Sequence, residues 1–226
     1  MRPAVAPQAG SLLEGGPVKL DIQDAGQKSS SPARCVTCEM LQHAPLACHD
    51  CHQVLAHVQG ADYFELFGLI PNYFIDADDL ARKYLGISRN IHPDKFATAG
   101  DEMQSFALRM SAAVNKAHEV LRDPFLRAEY LLESAGGPSA AQDKSVPGDL
   151  LPQVMMLREE IEEAKSSGDS DTLARIRADV TAQKRDAESR VADLCRGIDR
   201  ADAGAKADLR QQLNALKYLN NLLMQL

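Results

Sequence analysis

The spacing of apolar residues in the second quarter of the chain predicts a set of short helices. Over residues 76–91, apolar side chains recur at intervals of four, three and four, as the buried face of an α-helix requires. A longer helix is expected over residues 101–122, and another after Asp123, where proline occupies the first helical position. A capping box at Asp62 predicts a short helix before these three. Together the four helices form a predicted domain over residues 62–134.

The last third of the chain, residues 149–226, also has helical periodicity. Breaks at 166–168 and 203–204 divide it into three apolar stripes, which predict three helices. Because the connections between them are short, we expect an antiparallel bundle. The stripes consist of Val154, Leu157, Ile161 and Ala164; Leu173, Ile176, Val180, Ala187, Val191, Leu194 and Ile198; and Leu209, Leu216, Leu219 and Leu223.

The remaining segments are predicted to be a tail, a small module and a linker. Residues 1–33 are rich in glycine, proline and polar residues, so they bury too little apolar surface to order themselves. Residues 34–57 form a short cysteine-containing module, and the breaker-rich residues 135–148 connect the two helical domains. The predicted fold class is therefore all-α, preceded by a disordered tail and a metal-binding module.

Composition and charge exclude several classes of protein. The 226 residues include only 5% aromatics and no tryptophan, which suits helices better than a β-sandwich. A net charge of −7 and a pI near 5.4 argue against a general nucleic-acid binder, which needs a basic surface. Apolar runs are too short for a membrane span, and the start of the chain lacks a secretory signal or an Arg-rich transit peptide. We therefore expect a soluble cytoplasmic protein, with the mitochondrial matrix as the alternative.

Four of the five cysteines are arranged as two Cys-x-x-Cys units. Cys35 pairs with Cys38 and Cys48 with Cys51, and nine residues separate the units. Four thiolates at this spacing are typical of a structural zinc ion, with no coordination position left for catalysis. Redox dithiols, unpaired cysteines or an iron–sulfur cluster are the alternatives, and an enzyme that uses these thiols remains a competing function. Nearby histidines that could replace one thiolate are His43, His49 and His52.

A local basic patch surrounds the sequence His92-Pro93-Asp94. Asp94 is the only acid between residues 80 and 96, so this segment is positive on an acidic protein and favours an acidic protein partner. Proline disfavours helix in the residue before it, so the helix ends at His92 and Asp94 is displayed on a loop. No nucleophile accompanies this pair in the motif, which argues against a catalytic site and leaves a plain loop as the simplest interpretation. The bases of the patch are Arg82, Lys83, Arg89 and Lys95.

These features resemble a J domain, and three strings are similar to the HscB family of iron–sulfur co-chaperones. The strings begin at Tyr63 (YFELFGL), Ile91 (IHPDKF) and Leu121 (LRDP, continued by RAEYLL). The resemblance covers residues 62–226, and the tetracysteine prefix resembles family members with a zinc module. It implies regulation of an ATPase rather than catalysis by this chain. The partner would be a DnaK/HscA-type chaperone, contacted by His92, Pro93 and Asp94 with Arg82, Lys83, Arg89 and Lys95.

The resemblance also implies that the bundle captures the scaffold protein on which the cluster is built. The implied contact residues are Leu151, Met155, Glu159, Glu163 and Tyr218. The first four recur every four residues, along one side of a helix. Pro152 and Met156 depart from the family pattern, which usually has an unbranched apolar residue and an acid there. Two alternatives stay open: Leu151 and Met155 are ordinary core residues, or the protein is a general J-protein for protein folding.

Overall fold

The computed structural model describes residues 62–98 and 100–226, and within these ranges the chain is helical with no β-strand. This confirms the all-α fold class. The α-helices of these ranges are α1 (Ala77–Ile91), α2 (Asp101–Arg122), α3 (Pro124–Ser134), α4 (Leu150–Ser167), α5 (Ser170–Leu194) and α6 (Ala203–Gln225). Short 3-10 helices occur at Glu65–Phe67, Pro93–Phe96 and Ile198–Arg200.

Aspartate caps define where most of these helices begin. In each case the side chain accepts a hydrogen bond from backbone N–H groups of the first turn, which have no partner within the helix. The capping residues are Asp76 for α1, Asp123 for α3, Asp169 for α5 and Asp202 for α6. These bonds are local, so the predicted starts of α1 and α3 are confirmed.

One predicted short helix is only a 3-10 turn, and one predicted break is misplaced. The helix expected at Asp62 is only the 3-10 helix Glu65–Phe67, although its capping box forms in both directions. Gly68 ends it at once in the left-handed conformation, with φ of 59°. The break expected at 203–204 lies earlier in the chain, because Asp202 caps α6 and Ala203 is already helical.

A single apolar core runs through both predicted helical domains. It extends from Phe64 in the first turn through Leu132 on α3 to Leu213 and Leu222 on α6. The three stripes predicted for the bundle lie in this core or pack against it, and Cys195, between α5 and α6, is also buried. The bundle is therefore packed against the first helical region.

Polar contacts reinforce this packing between α3 and α6. The Arg210 side chain is completely buried, and its Nη2 donates to Glu129 Oε1 at 2.8 Å. Lys217 Nζ lies 2.9 Å from the same oxygen. Asn214 accepts from Arg210 Nε at 3.1 Å and donates to the carbonyls of Asp143 and Ser145, which ties the 135–149 connection to α6.

A second buried arginine fixes the segment between the first turn and α1. Arg127 Nε donates to the carbonyl of Leu121 at 2.7 Å, and its Nη1 donates to the carbonyl of Tyr73. The neighbouring Phe74 contacts Arg196, which follows the end of α5. The guanidinium carbon of Arg196 lies 5.0 Å from the centre of the Phe74 ring. This segment is therefore held from both helical regions.

Candidate functional site

His92-Pro93-Asp94 forms an exposed turn directly after α1. His92 ends α1 and its Nδ1 accepts a hydrogen bond from the Asp94 N–H at 3.3 Å, so it also begins the 3-10 helix Pro93–Phe96. The Asp94 carboxylate lies 3.5 Å from the same nitrogen, and 88% of the side chain is exposed. The predicted display of Asp94 is therefore observed, and its oxygens are open to a donor from another molecule.

Contacts between α1 and α2 hold this turn in place. Ile91 is fully buried beside it, and the hydroxyl of Ser111 donates to the Ile91 carbonyl at 3.2 Å. Nearer the start of α1, the Tyr84 ring stacks on the His118 ring with their centres 4.0 Å apart. The Tyr84 hydroxyl donates to Asn115 Oδ1 at 3.0 Å. Residue numbers rise along α1 as they fall along α2 in these contacts, so the two helices are antiparallel.

His118 contributes to the contact between α1 and α2, and the sequence patterns did not identify it. Its burial between α1 and α2 lowers its pKa, and the positive charge of Arg122 lowers it further. The ring is therefore neutral at neutral pH, and it stacks on the Tyr84 ring with the two planes 13° apart. The only sequence signal for this contact was the position of His118 on α2, one residue after the buried Ala117.

The predicted bases differ in what surrounds them. Arg82 points outward and makes an exposed ion pair with Asp79 at 3.2 Å. Arg89 and Lys95 are also exposed. Lys83 is different, because its ammonium donates to the backbone carbonyls of Phe67 at 3.1 Å and Gly68 at 3.4 Å. Lys83 thus connects α1 to the first turn, and its contact with a partner stays a prediction.

The predicted scaffold-binding residues of α4 all lie on its outward side. Leu151, Met155, Glu159 and Glu163 are exposed, whereas the buried line of α4 consists of Leu150, Val154, Ile161 and Ala164. The alternative that Leu151 and Met155 are core residues is therefore wrong. Pro152 is accommodated in the first turn of α4, where its missing N–H would have had no intrahelical partner.

Tyr218 lies on α6 and faces a different neighbourhood. It is half-buried against the core and lines a recess of about 290 Å³ between α6 and the 135–149 connection. The lining residues are Ala140, Lys144, Asn214, Lys217, Tyr218 and Asn221. Leu151 and Met155 are not among the residues that line this recess, so it does not join Tyr218 to the α4 face.

The predicted zinc ligands Cys35, Cys38, Cys48 and Cys51 lie outside the described residues. Within 62–98 and 100–226, no cluster of three or more histidine, cysteine, aspartate or glutamate side chains suits a metal ion. Burial raises the pKa of the Cys195 thiol to about 12, so this thiol is not a reactive nucleophile at neutral pH. Among the described helices, none combines the length and hydropathy that crossing a membrane requires.

The exposed His-Pro-Asp turn between two antiparallel helices agrees with the resemblance to a J domain, and the comparisons with known proteins support the class of J-protein co-chaperones. Residues 146–226 match the family described as the HSCB C-terminal oligomerisation domain. The chaperone HscB from Vibrio cholerae is 31% identical with a TM-score of 0.58, over 72% of this chain and 93% of that one. The chain belongs to the HscB family.

Human co-chaperone HscB has the same fold. Its crystal structure matches with a TM-score of 0.66 at 22% identity, covering 84% of this chain and 94% of the human chain.

Proposed function

We propose that this protein binds the scaffold protein of iron–sulfur cluster assembly and delivers it to a DnaK/HscA-type chaperone, whose ATP hydrolysis it stimulates. The observation that carries the proposal is one framework with two exposed surfaces. The His92–Asp94 turn extends from the α1–α2 pair, and the outward side of α4 belongs to the bundle packed against it. One chain of this form is suited to hold two partners at once.

The turn suits a contact with an arginine on the chaperone. An exposed carboxylate such as Asp94 accepts charge-assisted, bidentate hydrogen bonds from a guanidinium. Arg82, Arg89 and Lys95 give the neighbouring surface a positive charge, which speeds association with an acidic partner and makes it sensitive to salt. In this proposal the chain is not an enzyme, because the chaperone itself hydrolyses ATP.

The proposal is tested by titrating the full chain into the purified chaperone with and without the scaffold protein, measuring ATP turnover. We expect stimulation by the wild type and none by Asp94→Asn, which keeps the shape of the side chain but removes its charge. Asp78→Asn is a matched control, since Asp78 is exposed in the first turn of α1 and outside the motif. Equal stimulation by Asp94→Asn and the wild type would refute the proposed chaperone contact.

A general J-protein for protein folding is the second candidate. Exposed methionines on α4 favour it, because flexible thioethers adapt to many partners. Competition binding separates the candidates. A dedicated co-chaperone prefers the folded scaffold protein over a reduced, unfolded model protein, whereas a general one shows no such preference.

For the segment before residue 62 we propose a structural zinc ion held by Cys35, Cys38, Cys48 and Cys51. Two Cys-x-x-Cys units support this ligand set. Metal analysis of the purified full chain is expected to find one zinc per chain, with thiols that react only after chelation. Reactive thiols without zinc would instead favour redox chemistry.

We propose the cytoplasm as the location of this protein, with the mitochondrial matrix as the alternative.

A further inference from the structure

The loop between the first turn and α1 presents an apolar patch to solvent. Ile70 is 85% exposed and Phe74 is 49% exposed, and Pro71 between them is exposed as well. Single apolar residues on a surface are ordinary, but a cluster within one short loop indicates a contact surface. This loop patch consists of Ile70, Pro71 and Phe74.

The backbone on both sides of the loop patch is held in place. Before the patch, the Leu69 N–H donates to the Phe64 carbonyl at 2.9 Å. Within it, the Tyr73 carbonyl accepts from the buried Arg127, and the Tyr73 ring packs edge-on against Phe74 with the ring centres 5.1 Å apart. The patch is therefore preformed, so that docking on it requires little further ordering of the loop.

The residues directly before the described part of the chain have a composition that suits this surface. Residues 52–61 contain no aspartate, glutamate, lysine or arginine, and they include Val54, Leu55 and Val58. The predicted cysteine module at 34–57 is too short to bury these side chains in a core of its own. Burial of these apolar side chains therefore requires a surface elsewhere.

The chain reaches the loop patch through a short connection. The described residues begin at Asp62, and Phe64 is bonded to Leu69, the residue next to the patch. Val58 precedes Phe64 by six residues, and an extended chain spans up to about 3.6 Å per residue, so their separation is at most about 22 Å. A short tether gives a high effective concentration, so this segment meets the patch more often than another molecule does.

We propose that residues 52–61 dock on the loop patch through their apolar side chains. The docked segment holds the predicted cysteine module beside the start of α1. Because α1 has 15 residues, His92 lies about 22 Å away at its other end, and the turn stays open to the chaperone. The inference goes beyond the function proposed above and does not depend on it.

The size of the loop patch favours a tethered segment over a second copy of the chain. A large side chain buries about 150–250 Å², and the three side chains of the patch expose only part of such areas. A stable interface between separate molecules buries about 800 Å² on each partner. A segment of the same chain needs less area, because its association is already intramolecular.

The test measures hydrogen exchange of the backbone amides of residues 54–58 in the full chain by mass spectrometry. The variants are Ile70→Ser, which removes the apolar side chain, and Ile70→Val, which keeps most of it. Leu108→Ser is the matched control, because Leu108 is 55% exposed and lies on α2, one turn before the Ser111 that contacts the other end of α1.

We expect protected amides in the wild type and exchange about tenfold faster in Ile70→Ser, as for the loss of one buried aliphatic side chain. Ile70→Val should stay within about fourfold of the wild type, as for one methylene, and Leu108→Ser should match the wild type. Circular dichroism should be unchanged in all three variants. Unprotected wild-type amides at 54–58, or equal exchange in Ile70→Ser and the wild type, would overturn the proposal.

Photochemical cross-linking identifies what covers the patch. With p-benzoylphenylalanine in place of Phe74, we expect a cross-link within one chain to residues 52–61. Cross-links between two copies would assign the patch to self-association instead. Cross-links that form only after the purified chaperone or scaffold protein is added would assign it to that partner, and either result contradicts the proposed docking.

Discussion

The two helical regions present their proposed partner-binding surfaces in different ways. In residues 62–134 the surface is a short turn whose backbone is defined by specific polar contacts, including the His92 cap and the bond from Ser111. In the bundle the surface is one side of α4, which is positioned only because its other side is buried. A turn depends on one or two groups, whereas a helix face spreads its contribution over many. We therefore expect single substitutions to have all-or-none effects in the first region and graded effects in the second.

The largest expected effect tests whether the two regions unfold together. Arg210→Met leaves Glu129 with Lys217 as its remaining ion-pair partner at the junction of α3 and α6. The substitution also leaves Asn214 Oδ1 without its donor, and a buried polar group without a hydrogen-bond partner costs about 1–3 kcal/mol, so urea unfolding should shift as a single transition. Lys217→Met is the control with an effect of about 0.5 kcal/mol, because Lys217 is partly exposed. Two separate transitions, or no shift, would show that this contact does not couple the regions.

A cap substitution compares the local polar contacts of the two regions. Asp123 Oδ1 accepts from the N–H groups of Phe125 and Leu126 at 2.8 and 3.0 Å, so Asp123→Ala should lower the unfolding free energy by about 1 kcal/mol. Asp149 occupies the same position before α4 without a side-chain cap bond. Asp149→Ala in the bundle should therefore change the thermal midpoint very little. A similar loss at both positions would contradict the comparison.

Gly86 provides a stabilising substitution in the first region. It lies inside α1, and a Cβ added there would meet no other atom within 4 Å. Gly86→Ala should raise the unfolding free energy by about 0.5–1 kcal/mol, because alanine loses less backbone entropy in a helix. Gly168→Ala is the opposite case in the bundle, since Gly168 ends α4 with φ of 74°. Chemical denaturation that finds the same sign for both variants would refute this account.

Charge at the edge of the α4 face is expected to have a small, graded effect. Glu159→Gln removes one exposed carboxylate and should weaken scaffold binding by about twofold to threefold at low salt, with less effect at high salt. This contrasts with the complete loss expected for Asp94→Asn at the turn. Calorimetry at two salt concentrations measures this change in affinity for the scaffold protein. If Glu159→Gln abolished binding completely, as Asp94→Asn is expected to abolish ATPase stimulation, the distinction between the two surfaces would be wrong.

Acid should weaken both regions through their aspartate caps, with the smallest effect per group. Hydrogen bonds from the backbone N–H groups of Asp79 and Asp78 lower the pKa of Asp76 from its ordinary value of 3.8. The backbone N–H of Thr172 lowers the pKa of Asp169 in the same way. A lowered pKa contributes stability above the ordinary value, and this is lost as the pH falls through the folded pKa. Thermal midpoints measured below about pH 4 should therefore fall less in Asp76→Asn and Asp169→Asn than in the wild type. Equal slopes would contradict the cap contribution.

Local sequence predicted much of the fold. Helix periodicity, aspartate caps and the proline after His92 depend on interactions between residues that are close together in the sequence. The short helix predicted from the capping box at Asp62 forms as a single 3-10 turn that ends at the left-handed Gly68. The prediction failed at the start of α6, where Gly204 suggested a break and the cap at Asp202 overrode it.

For the candidate site, the sequence by itself determined that Asp94 follows a helix end and that Leu151, Met155, Glu159 and Glu163 share one side of α4. Only the tertiary structure decided that Leu151 and Met155 lie outside the core and that Lys83 bonds to the backbone near Gly68. It also decided the burial of Arg210 against Glu129, a pair separated by 81 residues. Such pairs depend on how whole helices pack, and no spacing within a single helix encodes which distant surface will cover it.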